Sequence, residues 1–486
     1  MPLRNLVWLL AVPAVVLVGL AISYSAPAPD KDYRLVRQIV DVLAEVDAHY
    51  VRELTDEDKQ KLVEDMINGG LRELDPHSEY LSDKKLKEFE TASEGHFGGV
   101  GITLGIDDAR KVLKVEHPMP DTPAYHAGVV AGDLILRVNG ESTEGWDVPA
   151  ARKKITGEVG TKVTLTMRRE GRTPPEQEVT LTRGKIEMQP IAGVHRRADD
   201  PTKWEWFVDK ENKIALIHVL TFSDITMKAL RAAVAEIDAA GGKGLIIDLR
   251  DNPGGLLNQA IDICDFFLTD GKIVSTRDRR QSERSFSAKK DDRDYLPKPD
   301  NPRAVAVVVN RYSASASEIV AACLQDHNRG VVVGERTYGK GSVQKLLRIP
   351  HSEPPAAVKL TTETYWRPSN KNIHRYKDAK ETDEWGVKPN DGLEVATTED
   401  ERLRYMVAMK KLEWVAGKPD VVGPNPPPPP TPKATDGKPL VDESKPYQDK
   451  PLAKAVEAVR KKILGQAAAP PPPARPAALP ATATGA

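Results

Sequence analysis

Between residues 205 and 395 the chain alternates between two periodicities, and this constrains its fold more than any other feature. Apolar β-type runs occur at Ile214–Leu220, Gly244–Leu249, Ala304–Val309 and Val331–Val333. Helical stretches lie between them at Thr226–Ala240, Leu256–Leu268 and Ser315–Asp326. Strands separated by helices of this length predict βαβ units and a largely parallel sheet.

The flanking regions differ in character. Residues 32–93 predict helices, with Val36, Ile39, Val40, Leu43 and Val46 at helical spacing. Thr55-Asp-Glu-Asp58 opens a second helix, Gly69-Gly70 is expected to weaken its end, and Leu74–Ser78 forms a turn. From 96 to 185, short β runs (Gly99–Ile102, Val112–Val115, Leu134–Val138, Val163–Met167) alternate with glycine turns, including Asn139-Gly140. With a short helix at Ala150–Ile155, this makes a compact β-rich module. The dense charge run at 277–294 has no apolar period and is expected to be a solvated loop. A helix returns at Thr398–Val415. Many of the 39 prolines crowd the C-terminal end, at Pro424, Pro426–Pro430 and in the Ala/Pro-rich tail Ala467–Ala486. Such a tail buries too little apolar area to fold; a short basic helix is expected within it at Leu452–Leu464.

Several function classes are disfavoured at once. Acids (71) and bases (70) nearly cancel, which argues against a dedicated nucleic-acid binder. Two cysteines, Cys264 and Cys323, exclude a disulfide framework and a thiolate zinc site; both lie in apolar helical segments and are expected to be buried. The ten histidines show no HExxH or zinc-type spacing, and there is no Gly-x-Ser-x-Gly elbow. No metal or cofactor is expected. The apolar run Leu6–Tyr24, behind Arg4, is just long enough to span a bilayer, while Ser23-Tyr-Ser-Ala26 offers small residues of the signal-cleavage kind. As anchor or signal, it predicts that the bulk of the chain is exported.

Three segments could carry chemistry. Gly334-Glu-Arg-Thr-Tyr-Gly339-Lys340-Gly341 approaches a phosphate-binding loop, but glycine stands where a metal-holding hydroxyl belongs. Ser313-Ala-Ser315-Ala-Ser317-Glu318 opens a helix. Ser315 with Glu318 fits a capping box, and a serine there would also gain from the helix dipole as a nucleophile. Lys340, between two glycines, is either a surface lysine or a base whose pKa burial lowers. Asp248-Leu-Arg-Asp-Asn-Pro-Gly254-Gly255 is a strand-to-helix turn whose glycines can present N–H donors.

In this order the pieces resemble the carboxyl-terminal processing, or tail-specific, proteases. The likeness runs through Asp75–Tyr80, the Gly-rich module, Asp248–Gly255, Asn310–Asp326 and Gly334–Gln344, and covers most of residues 35–392. It implies a serine endopeptidase with a ClpP/crotonase-like α/β core. Ser315 would be the nucleophile, Lys340 the general base and Gln344 the residue orienting it. Ala316 with Gly254 or Gly255 would supply the oxyanion N–H groups. The module resembles a PDZ domain, with Gly99, Val100, Gly101 and Ile102 as its carboxylate-binding loop. Family members often carry Arg where Thr156 precedes Gly157, and that Arg is thought to couple the PDZ module to the catalytic centre; this chain has Thr156.

The domains expected are a signal or anchor at 1–29, a helical region at 30–95, PDZ at 96–186 and the protease core at 187–396. A helix at 397–422 and a Pro-rich, largely disordered tail at 423–486 follow. The partners implied are proteins with accessible apolar C-terminal tails, an adaptor protein, the membrane through residues 6–24 and a second copy of the chain, in the periplasm or cell envelope. The alternative is a PDZ scaffold that binds tails without cutting.

Overall fold

The computed structural model describes residues 31–171, 173–289, 303–418, 421, 441 and 447–467. The apolar run Leu6–Tyr24, the proline run, the end of the charge run and the tail beyond residue 467 lie outside these. No helix among the described residues is long and apolar enough to cross a membrane.

Residues 31–80 hold two helices, Lys31–His49 and Asp56–Leu74. Thr55 starts the second with a capping box: its hydroxyl accepts the Asp58 N–H, and the Asp58 carboxylate accepts the Thr55 N–H. Gly69 and Gly70 do not end it, because their cost is small against a capped helix of 19 residues. The helix stops at Asp75, held extended by the following proline. The Asp75 carboxylate then accepts the N–H groups of His77 and Ser78 and the Ser78 hydroxyl, closing the expected turn.

The rest of the chain forms a second unit. Its Gly-rich module is an antiparallel sheet in the order Ile102–Asp107, Val112–Pro118, Leu134–Val138, Lys162–Arg168, Glu176–Thr182. Alternate residues Val115, Ile135, Val163 and Leu165 point inward against Ala151 and Ile155 of the helix Val148–Ile155. The module is entered through His96–Gly99 and left through Gly184–Glu187, which pair with each other. Beside this base, the buried Arg183 donates to the carbonyls of Lys154, Ile155 and Lys162, closing the C-terminal end of the helix.

The large core is the parallel sheet that the alternation predicts. Ile214–Val219, Gly244–Asp248, Ala304–Val309 and Val331–Gly334 lie side by side in chain order, all parallel. Ile191–Ala192 and Phe207–Asp209 add antiparallel partners to the first. Parallel crossovers are nearly always right-handed, so a sheet that grows steadily in one direction receives its crossover helices on one face. That face packs Ile217, Val219, Leu245, Ile247, Val305 and Val307 against the helices Thr226–Ala239, Leu257–Phe267 and Ala316–Asp326. Cys264 and Cys323 are buried there as free thiols.

The opposite face, with Ile214, Leu216, Ile246, Ala306 and Val308, is equally apolar. A helix at Lys450–Ala467 covers it through Leu452, Ala455, Val456, Val459 and Ile463. The short helix expected within the tail is therefore longer and part of the core. It approaches so closely that a Cβ at Gly244 would lie 2.4 Å from Val459. The first part of the charge run is likewise ordered: Glu283–Ser287 pairs antiparallel with Lys272–Asp278 in a second sheet that also holds Ser342–Arg348 and Ala357–Trp366. Its charges sit on an edge strand, where Arg277 and Glu283 pair across the hairpin and need no apolar period.

The helix Lys450–Ala467 is expected to count fully toward core stability. Val459→Ala should cost about 2 kcal/mol by lost transfer and residual cavity, read from urea unfolding. An unchanged midpoint would mean that this helix does not cover the sheet in solution.

Candidate active site

The site grows from three loops that leave the C-terminal ends of neighbouring parallel strands: 249–256 after Asp248, 310–315 after Val309 and 335–341 after Gly334. Open α/β sheets collect their functional groups at this edge.

The serine cluster divides its labour. Ser313 donates to the Leu249 carbonyl at 2.7 Å and Ser317 to the Asn252 carbonyl at 3.0 Å, so both tie the helix start to the neighbouring loop. Ser315 is different. It is 7% exposed and holds φ 56° and ψ −113°, left-handed territory that costs a non-glycine residue about 1–3 kcal/mol and concentrates at functional sites. Its side chain shares a hydrogen bond with the Tyr365 hydroxyl, which burial pushes above its ordinary range.

The expected cap residue, Glu318, does more than cap. It is fully buried, and each carboxylate oxygen receives two donors. Oε1 accepts the Thr337 hydroxyl at 2.5 Å and the Gly339 N–H at 2.7 Å. Oε2 accepts the Ser315 N–H at 2.9 Å and the Lys340 N–H at 2.8 Å. Ser315 and Lys340, distant in the chain, therefore have their backbones on one oxygen atom. Burial pushes the carboxyl up to about 7, against the pull of these four donors.

The lysine loop is also pinned from its other side. The Arg375 N–H donates to the Gly339 carbonyl, and the Tyr365 N–H to that of Gly341. A Cβ at Gly341 would sit 2.2 Å from the His374 nitrogen, so the approach of this segment requires glycine. The N–H groups of Gly339 and Lys340, which would cradle a phosphate, are already spent on Glu318. The near P-loop is thus a lysine platform. Gln344 lies on the adjoining strand, its amide donating to Ser342 and Thr361.

The glycine turn meets the nucleophile candidate directly. A Cβ at Gly254 would fall 2.9 Å from both Ser315 Cβ and the Ala316 nitrogen. The Gly254 N–H donates to Asn252 Oδ1 at 2.8 Å. Among the described residues no group accepts the N–H of Ala316 or Gly255. At the strand end, Asp248 is fully buried. Burial pushes its carboxyl up, but Arg250 and then His218 outweigh that and leave it below the usual range.

In the Gly-rich module, Gly101 has φ 76° and its carbonyl accepts the Met119 N–H, while the Val100 carbonyl accepts that of Ala124. Among the described residues the N–H groups of Val100 and Gly101 have no acceptor. At Thr156 the module closes on its own entry strand: the Gly157 N–H donates to the Gly98 carbonyl, and the Thr156 hydroxyl turns back to the Arg152 carbonyl.

Comparison with known proteins gives the family and its modules. Peptidase family S41 matches residues 213–390, and the PDZ domain matches residues 114–169. A carboxy-terminal-processing protease of Bartonella bacilliformis is 36% identical over 362 residues, spanning 74% of this chain and 76% of its own. This chain belongs to the carboxy-terminal processing proteases. A second member, from Bacillus subtilis, is 32% identical over 320 residues, 65% of this chain and 63% of its own. Among solved structures, a photosystem II D1 C-terminal processing protease is 24% identical, with TM-score 0.38, over 73% of this chain and 92% of its own. The protease is of the serine type and carries a PDZ module on a mixed α/β core.

Sequence reasoning missed the second role of Glu318 because the capping spacing already explained it, and it missed Tyr365 because a lone aromatic in a strand carries no signal. Glu318→Gln should show what the carboxylate does. The amide NH₂ would face at least one pair of donors, costing about 1–3 kcal/mol per unpaired group. The raised carboxyl contributes stability that is present below its ordinary pKa of 4.5 and lost as pH rises through about 7. The deficit of the variant relative to wild type should therefore shrink between about pH 5 and pH 8 in urea unfolding. A deficit that stays flat over that range would show a carboxyl that ionises normally or below.

Proposed function

We propose that the protease is an exported endopeptidase that takes protein C-terminal tails on its PDZ module and cuts near them with Ser315 and Lys340. The observation that carries this reading is the shared Glu318 oxygen, which sets the backbones of a strained serine and a glycine-flanked lysine side by side. Export rests on the apolar run Leu6–Tyr24 behind Arg4.

In this reading the substrate tail adds as a strand to the PDZ sheet, and its carboxylate meets the N–H groups of Val100 and Gly101 in the loop Gly99–Ile102. Lys340, uncharged, takes the Ser315 hydroxyl proton as Oγ attacks the scissile carbonyl. The oxyanion falls to the N–H groups of Ala316 and Gly255, with Gly254 allowing the close approach beside Ser315. Lys340 then passes its proton to the leaving amine, and water releases the acyl group from Ser315. Gln344, four residues beyond Lys340, orients the lysine.

Ser315→Ala and Lys340→Ala should each lower cleavage of an unstructured, apolar-tailed protein by about 10⁴-fold or more while the fold survives. New termini made by either variant at the wild-type rate would overturn the dyad. Amidating the C-terminus of the same substrate should raise KM about tenfold, since a charge-assisted contact at the loop is lost. An unchanged KM would place tail recognition elsewhere.

A further inference from the structure

Arg250, two residues before Asn252, is held from both sides. Its Nε and Nη2 donate to Asp248, the shortest contact being 2.6 Å, and its guanidinium lies 4.0 Å from the centre of the Tyr405 ring. Its outer edge makes a bidentate pair with Asp449, Nη1 to Oδ1 and Nη2 to Oδ2, both at 2.7 Å. The Arg250 side chain is 4% exposed and that of Asp449 18%. Asp449 also caps the helix Lys450–Ala467, where its Oδ1 accepts the Leu452 N–H at 3.0 Å. One carboxylate thus joins the helix covering the sheet to the loop beneath the nucleophile.

The route from Arg250 to Ser315 is short. The Asp251 N–H is fixed by Asn310 Oδ1. The Asn252 carbonyl accepts the Ala314 N–H and the Ser317 hydroxyl, and its side chain accepts the Gly254 N–H. Gly254 lies against Ser315 and Ala316. A guanidinium released on one side lets the backbone of 250–255 shift, and with it the oxyanion donors. Pairing with a planar fork also fixes direction, which a single point charge does not.

We propose that Asp449 is a positioning residue for peptide cleavage. Acting through Arg250, it holds the 252–255 backbone in register with Ser315. The inference rests on the reading of Ser315 as the nucleophile. In the full-length protein, Asp449→Asn should lower kcat for a tailed substrate by about tenfold or more with KM within threefold, since small misplacements of catalytic groups cost about 100-fold at their largest. Asp449→Glu keeps the charge one methylene too far out and should fall between, about threefold below wild type. Rates are referred to folded protein isolated by size exclusion. A kcat for Asp449→Asn within twofold of wild type would overturn the proposal, even with a lowered Tm, because a purely structural cap would give that result. If the asparagine variant does not fold, a wild-type kcat for Asp449→Glu overturns it alone. Failure of the nucleophile reading looks different: wild type would then cleave no better than Ser315→Ala.

Discussion

A parallel sheet that grows in one direction has a bare side, and the whole core of this protease answers that fact. Right-handed crossovers place the helices of the βαβ units on one face. The strands Ile214–Val219, Gly244–Asp248 and Ala304–Val309 are nonetheless apolar on both. The second face is closed by a helix from the far end of the chain, beyond the proline run. The three loops that carry Gly254, Ser315 and Lys340 hang from the edge of that sheet, so its closure is also the foundation of the candidate site.

Above the sheet, the buried carboxyl of Glu318 ties the serine and lysine loops together. Glu318 is surrounded by donors from two loops: three backbone N–H groups and the Thr337 hydroxyl. A buried carboxyl group satisfied by N–H and O–H groups tolerates little displacement of any one of them, since each lost bond exposes a desolvated group. The serine and lysine loops are consequently held to a common origin. The strain stored at Ser315 persists because the surroundings over-determine it.

Much of this was legible in the sequence, and the parts that were not share a cause. The strands and crossovers of the core announce themselves because periodicity is local. The Ser-Ala-Ser-Ala-Ser-Glu and Thr-Tyr-Gly-Lys-Gly segments stand out because glycines and clustered serines mark close approaches and helix starts. What escaped depends on partners far away. The pair Arg250–Asp449 joins residues 199 apart. The face of the helix Lys450–Ala467 announces that it needs a partner without saying which. The charge run concealed a strand because an edge can satisfy its side chains with solvent and cross-strand pairs. Gly69-Gly70 was expected to weaken the end of its helix, which runs on to Leu74, before the proline.

The distance between the sheet and its covering helix has a consequence in time. Translation proceeds from the N-terminus, so Ile214–Val219 and Gly244–Asp248 emerge more than two hundred residues before Val459 does. Until then one side of the sheet has no cover, and the carboxylate of Asp449 does not yet exist. The loop carrying Gly254 and Gly255 is therefore completed last, although it is encoded near the middle. A growing chain of this protease carries Ser315 and Lys340 well before it carries the helix that closes the sheet from which their loops hang.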